Sequence, residues 1–150
     1  MDVNRFSIDI GIYKGMIEHW GSDFTTKTLV AGASAGTIMA VGMALAMSPE
    51  DLSEMYQNTA KEAKFGIFHN GFEALEKNCL MKFLEEPDAY QKLSSKCYIG
   101  LTGFFSNHFW VSQWSSNSEV LQCLRGSLHV PLVCEYIEPF QNKHVVDGEF

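Results

Sequence analysis

Positive charge is scarce in this sequence. Eleven Lys and Arg stand against eighteen Asp and Glu in 150 residues, a net charge of −7. Nucleic-acid binders need clustered Lys and Arg to meet phosphates, so a nucleic-acid partner is not expected. A lipid partner stays open, because apolar contact can drive that association. Metal-ligand spacing is missing too. Cys79, Cys97, Cys123 and Cys134 form no CxxC and no zinc-like pattern with the five histidines, and there is no DxDxDG calcium loop. No metal or organic cofactor is expected. The cysteines lie in apolar contexts such as "KCYIGL" and "LQCLR" and read as reduced core thiols, which suits a reducing, intracellular compartment. Long hydrophobic runs are absent as well. The longest uncharged apolar run, Ala35 to Met47, is too short to cross a ~30 Å hydrocarbon core. "MDVNRFSIDIG" lacks the basic-then-apolar order of a signal peptide. The expected location is the cytoplasm or the periphery of a lipid surface. With no repeat, low-complexity tract or linker, the length suits one domain, residues 1–150.

What is present alternates between helix-like and strand-like patterns. "GIYKGMIEHWG" reads as a helix with Ile12, Met16 and Trp20 on one side. "KTLVAG" is a short apolar strand. Residues 35–47 carry no charge and predict a helix buried in the centre of the fold. "SPED" offers Ser48 as a cap, Pro49 at the first helical position and Asp51 to complete a capping box, for a helix to about Lys64. "GFEALEKNCLMKFLEE" places Phe72, Leu75, Cys79 and Phe83 on one side, and "EPDAYQKLS" predicts a short helix. "KCYIGLTGFF" and "FWVSQWS" read as strands. Their aromatics Phe104, Phe105, Phe109 and Trp110 read as alternating core residues, with insertion into a lipid surface as the other reading. "SSNSEVLQCLRGSL" has a second capping box in Ser116 and Glu119, with Val120 and Leu124 facing inward. "HVPLVCEYI" and "KHVVDG" are short extended pieces. This order predicts an α/β fold with a mainly parallel sheet.

The chemistry-bearing stretch is "VAGASAGTIMAVGMALAM". Ser34 stands between Gly32 and Gly36, with a strand before it and an apolar helix after it. A GxSxG turn holds serine in a strained conformation, and small residues such as Gly32, Ala33, Ala35 and Gly36 let strand and helix approach. The hydroxyl then sits at a helix N-terminus, where N–H groups and the dipole favour developing negative charge. A partner is needed to activate it. Asp88 followed by His108, His129 or His144 satisfies triad order, but an elbow at residue 34 leaves no room for the upstream strands of an α/β-hydrolase. Asp147, in "HVVDG", follows a β-branched run and precedes Gly148, although Asp-Gly is also a common turn pair.

Together these segments resemble the patatin-like phospholipase family, over about Gly11 to Gly148. "GASAGTIMAVGMALAMSPEDL" resembles that family's elbow and following helices. "VSQWSSNSEVLQCLRGSLHVPL" and "HVVDG" resemble its middle and second catalytic segment. The resemblance implies a three-layer α/β/α sandwich with a mainly parallel central sheet. It implies a lipid acyl hydrolase of the phospholipase A or acylglycerol lipase type, with Ser34 as nucleophile and Asp147 as general base. The substrate would be a lipid acyl ester, met by peripheral contact with a membrane or lipid-droplet surface. The family's GGGxxG oxyanion loop corresponds to "FSIDIG", where only Gly11 matches, and "DGE" replaces DGG or DGA. Family domains also continue beyond the aspartate. The expectation is therefore a single patatin-like domain, incomplete at the glycine-rich loop and at the C-terminus. A catalytically weak or inactive lipid- or protein-binding module on the same fold is the alternative.

Overall fold

The computed structural model describes residues 3–63, 70–104, 107–130 and 139–148, with side chains from Ser7 onward. The chain runs α1 (Val3–Trp20), α2 (Phe24–Lys27), β1 (Val30–Gly32), α3 (Gly36–Ala44) and α4 (Pro49–Glu62). It continues through α5 (Phe72–Leu75), a π-helical segment (Glu76–Leu80), α6 (Met81–Phe83), α7 (Ala89–Leu93), β2 (Cys97–Gly103), β3 (His108–Val111), α8 (Asn117–Ser127) and β4 (Val145–Asp147). The fold is mixed α/β.

Both serines cap their helices, while the return bonds of a full capping box go elsewhere: Asp51 accepts from the Ser48 hydroxyl and Glu119 from the Ser115 amide and hydroxyl. The Ser48 hydroxyl accepts from the Asp51 amide at 3.0 Å and starts α4. The Ser116 hydroxyl accepts from the Glu119 amide at 3.2 Å and starts α8. Each supplies a partner to a donor that a helix end otherwise leaves open. The charge-free α3 is central, as its all-round apolar surface predicts. Thr37, Ile38, Met39, Ala40, Val41, Gly42 and Ala44 are all buried, and the helix packs on β1 and β2. Lys96 closes its far end by donating to the Ala44 carbonyl at 2.7 Å, a cation at a helix C-terminus. The single helix expected over residues 71–86 carries a widened π turn, which buries Asn78, Cys79 and Leu80 in succession. Arg125 of α8 ties this segment down by a bidentate pair with Glu76, at 3.0 and 2.5 Å.

β2 organises the sheet. It pairs in parallel with β1 (Val30 opposite Cys97, Gly32 opposite Ile99). It pairs antiparallel with β3 (Ile99 opposite Val111, Thr102 opposite His108) and with β4 (Leu101 opposite Asp147, Gly103 opposite Val145). Ile99, Leu101 and Thr102 are each paired on two sides, with β3 always one of them. So β1 and β4 share the opposite edge of β2, end to end. The mainly parallel sheet expected from the alternation of elements is therefore corrected. Among the described residues one pairing is parallel and two are antiparallel, because the chain returns to β2 by β3 and β4 in the reverse direction.

One face of this sheet carries the fully buried Cys97, Ile99 and Leu101 under α3 and α8. Side chains alternate between faces along a strand. The other face presents Tyr98 and Thr102, both half-buried, beside exposed His108 and Trp110. Trp110 is 50% exposed and Phe104 is 56% exposed, so these two aromatics are not the core residues that alternation suggested. Phe109 is half-buried, and Phe105 lies outside the described residues.

The first helix also departs from expectation. It starts at Val3 rather than near Gly11, and its inward side is Ile10, Tyr13 and Ile17. Ile12 and Trp20, on the stripe read from spacing, are more than half exposed. Tyr13 anchors the helix by donating to the Met47 carbonyl at 2.9 Å. No helix among the described residues is long and apolar enough to cross a membrane.

Cys79, Cys97 and Cys123 are free and buried, as their apolar contexts suggested; Cys134 and most of "HVPLVCEYI" lie outside the described residues. Burial pushes the Cys97 and Cys123 thiols up to about 12. Iodoacetamide applied to the native protein at about pH 8 is expected to spare these three cysteines and to label them once urea is added. Peptide mass spectrometry reads the outcome. Native-state labelling of Cys97 would contradict this packing.

Candidate active site

The site begins where β1 ends. Val30 to Gly32 lie alongside β2, and the chain then turns at Ala33 and Ser34 into α3. Ser34 has φ of 52°, in the left-handed region that a side chain enters at a cost of about 1–2 kcal/mol. The turn needs a glycine before it. A Cβ on Gly32 would lie 2.3 Å from the Gly36 carbonyl oxygen and 2.8 Å from the Thr37 nitrogen. The first amides of α3 fold back on the elbow, Gly36 to the Ala33 carbonyl and Thr37 to the Ser34 carbonyl, each at 3.0 Å. This is the strand–turn–helix context that the GxSxG pattern requires.

From the opposite direction comes β4. It ends at Asp147, opposite Leu101, two residues along β2 from the end of β1. The two strand ends therefore meet across Gly100. The Ser34 hydroxyl donates to Asp147 Oδ2 at 2.6 Å, although the residues are 113 positions apart. Asp147 is 5% exposed, while Ser34 is half-buried and lines a cleft. A shielded carboxylate thus holds a hydroxyl that faces open space.

Gly148 is required by this approach. A Cβ there would lie 2.3 Å from the Gly100 carbonyl oxygen and 2.9 Å from Ala33 Cβ. Its pairing with Asp147 in "DG" is a steric condition of the site as well as a turn signal.

Ser127 is a site residue that motif reading did not single out. It is fully buried at the end of α8. Its hydroxyl donates to the Gly100 carbonyl at 2.8 Å and accepts from the Ser34 amide at 3.3 Å. Thr37 Oγ1 lies 2.9 Å from it. With the single Ser127 proton committed to Gly100, Thr37 is the donor in that contact. One hydroxyl so ties together the elbow, the first turn of α3 and β2. The only hint in the sequence was its place in a family-like segment, since a serine near a helix end is ordinary.

Asp147 is also braced along the backbone. Its amide donates to the His129 carbonyl at 2.8 Å. The His129 imidazole is held below its ordinary value by burial, against the opposing pull of the Asp147 charge, and its Nδ1 has no hydrogen-bond partner among the described residues. The triad order drawn through Asp88 does not assemble. Asp88 is half exposed and pairs with Lys92 at 3.6 Å, whereas Ser34 is bound by Asp147 directly.

The cleft has a volume of about 320 Å³ and is lined by Asp9, Ile12, Tyr13 and Met16 of α1, by Ser34, Ala35 and Gly36 of the elbow, and by Met39 and Met43 of α3. Ile12, Met16, Met39 and Met43 give it an apolar wall, while Asp9, Tyr13 and Ser34 carry its polar side chains among the described residues. The Ala35 amide follows the nucleophile and belongs to this lining, the position from which an elbow donates to an oxyanion. Gly11, expected from the resemblance as an oxyanion residue, is placed otherwise. It lies in the middle of α1, where its N–H is committed to the carbonyl four residues back. "FSIDIG" forms helix because it lacks the glycines that would hold an open loop. Among the described residues no group of three or more His, Cys, Asp or Glu side chains is gathered as a metal site.

Comparison with known proteins gives no counterpart. No family model, no curated protein and no solved structure matches the chain. The chemistry of the site therefore rests on its own geometry.

Replacing Ser127 by Ala leaves the Gly100 carbonyl, the Thr37 hydroxyl and the Ser34 amide short of a partner around a fully buried position. The expected loss is about 1–3 kcal/mol of unfolding free energy, read by urea denaturation. Gly148→Ala is expected to destabilise by about 1–3 kcal/mol or more, because backbone must move to admit the methyl group. A Gly148→Ala protein as stable as the parent would show that the two strand ends do not meet as described.

Proposed function

We propose that the protein is a serine-dependent carboxylic ester hydrolase acting on lipid acyl esters through a Ser34–Asp147 dyad. The single observation that carries this is the 2.6 Å hydrogen bond from the Ser34 hydroxyl to a buried carboxylate, at an elbow with positive φ and above an apolar cleft. The resemblance of "GASAG" and "VVDG" to the patatin-like phospholipase pattern supports the same reading, including a phospholipase A or acylglycerol lipase type of substrate. The three-layer sandwich of that family is part of the proposal. The helix-covered face of the sheet fits it, and the face bearing Tyr98 and Trp110 is where the third layer would lie.

In this mechanism Asp147 takes the hydroxyl proton as Ser34 Oγ attacks the ester carbonyl carbon. The negative charge gathers on the former carbonyl oxygen, met by the Ala35 amide and the N-terminal end of α3. When the C–O bond of the leaving alcohol breaks, the alkoxide takes the proton from Asp147, and the acyl group stays on Ser34. Water then gives a proton to Asp147 and attacks the acyl-enzyme. The carboxylic acid leaves and Ser34 recovers its proton. The dyad needs neither metal nor organic cofactor. Contact with a membrane or lipid-droplet surface would deliver the ester, in keeping with an intracellular, peripheral location.

A second reading has its own observation. The segment that would supply further oxyanion donors is the helix α1, and it brings Asp9 to the cleft instead. Loss of one oxyanion donor costs about 10²–10³ in turnover. A catalytically weak or inactive lipid- or protein-binding module on this frame follows from that cost.

A fluorophosphonate serine-hydrolase probe separates the two readings. Labelling at Ser34 that is abolished by Ser34→Ala and lowered by about 10²-fold or more in Asp147→Asn is the outcome expected of the dyad. Absence of labelling in folded protein would support the binding module.

A further inference from the structure

Asp9 is the one charged residue lining the cleft, and no Lys or Arg among the described residues lines it. It sits on α1 facing the space that Ser34 opens into, between the apolar Ile12 and Met16 on its own helix and Met39 and Met43 across from it. We propose that Asp9 is a specificity-determining residue that makes this cleft select uncharged acyl ligands and reject those carrying an anionic group near the ester. The inference rests on the esterase reading for its consequence in turnover, but the selection itself is a binding property of the cleft.

The physical argument is one of unlike walls. Met16, Met39 and Met43 supply adaptable apolar surface, which binds an acyl chain of either type of ligand equally. The charge of the head is then what distinguishes ligands. A carboxylate or phosphate placed beside Ser34 meets Asp9 and, behind the Ser34 hydroxyl, the Asp147 carboxylate, with no cation among the described lining residues to compensate, in a site where the field is less screened than in bulk water. A neutral ester or alcohol pays no such repulsion. The same charge acts on the reaction product. Ester hydrolysis turns a neutral acyl group into a carboxylate, so Asp9 also weakens retention of the product acid.

The test uses the full chain and two ligands of one chain length, octan-1-ol and octanoate, at about pH 8, where the acid is fully ionised. Calorimetric titration is expected to show octan-1-ol binding about tenfold more tightly than octanoate. Asp9→Asn is expected to narrow the difference by about threefold or more, by strengthening octanoate, while the Asp147 carboxylate keeps the remainder. Raising the salt to about 1 M, where the Debye length is ~3 Å, narrows the difference in the unmodified chain and needs no variant. A difference untouched by both Asp9→Asn and salt, or no binding of either ligand, overturns the proposal.

Turnover provides the second arm. The kcat/KM ratio of 4-nitrophenyl hexanoate to the anionic 4-(hexanoyloxy)benzoate, compared between the unmodified chain and Asp9→Asn, cancels the difference in leaving group. The ratio is expected to fall about threefold or more in the variant. If no Ser34-dependent hydrolysis is found, the esterase reading fails while the binding titration still decides the role of Asp9. Hydrolysis with an unchanged ratio, together with unchanged binding, removes Asp9 and leaves the dyad standing.

Discussion

The close meeting of two strand ends at Gly100 is the constraint on which the site depends. β1 runs along β2 in one direction and β4 in the other, and both stop within two residues of each other. A hydroxyl and a carboxylate separated by 113 positions in the chain are thereby brought to 2.6 Å. The approach leaves room for no side chain. Gly32, Gly100 and Gly148 each face atoms within 3 Å of where a Cβ would stand. Small residues here are a condition of contact, and Ser127 fixes the contact from below by bonding β2 and the elbow at once.

The strain at Ser34 has a definable support. Its left-handed conformation costs about 1–2 kcal/mol, and strain of this kind persists only where the surroundings over-determine it. Those surroundings are the returned amides of α3, the Ser127 hydroxyl and the Asp147 carboxylate. Behind them stands the fully apolar α3, locked by Lys96 at its far end. The core thus holds the elbow, and the elbow presents the Ser34 hydroxyl. α1 contributes differently. It is anchored through Tyr13 and turns its Asp9 and Met16 to the cleft, so it shapes what can enter more than what can react. A helix in this place offers no spare N–H groups along its middle, so under the proposed hydrolase mechanism the Ala35 amide would carry the oxyanion.

Much of the local structure was legible. The serine caps at Ser48 and Ser116, the uncharged central helix and the strand–elbow–helix around Ser34 follow from side-chain chemistry acting over a few residues, and local chemistry is what a sequence displays. The pairing of Ser34 with Asp147 was legible only through two motifs read together. The parallel character of the sheet was misread, because alternation of helix and strand does not specify the direction from which a late strand returns. The face of α1 was misread for a related reason. Ile12, Met16 and Trp20 have helical spacing, but so do Tyr13 and Ile17, and only the position of α4 and the Met47 turn decides which row is covered.

By itself, the sequence determined the elbow, since a glycine at 32 before the serine permits a close turn that a side chain there would forbid. It determined the central helix, since a charge-free segment has to be buried, and it determined that "FSIDIG" would not be an open glycine loop. Only the tertiary structure decided that Asp147 faces Ser34, that Ser127 bonds the elbow and β2 beneath them, and that Asp9 is the charged side chain lining the cleft among the described residues. These are distances between residues remote in sequence. They are set by the register of β1 and β4 on β2 and by the docking of α1, and no local preference encodes them.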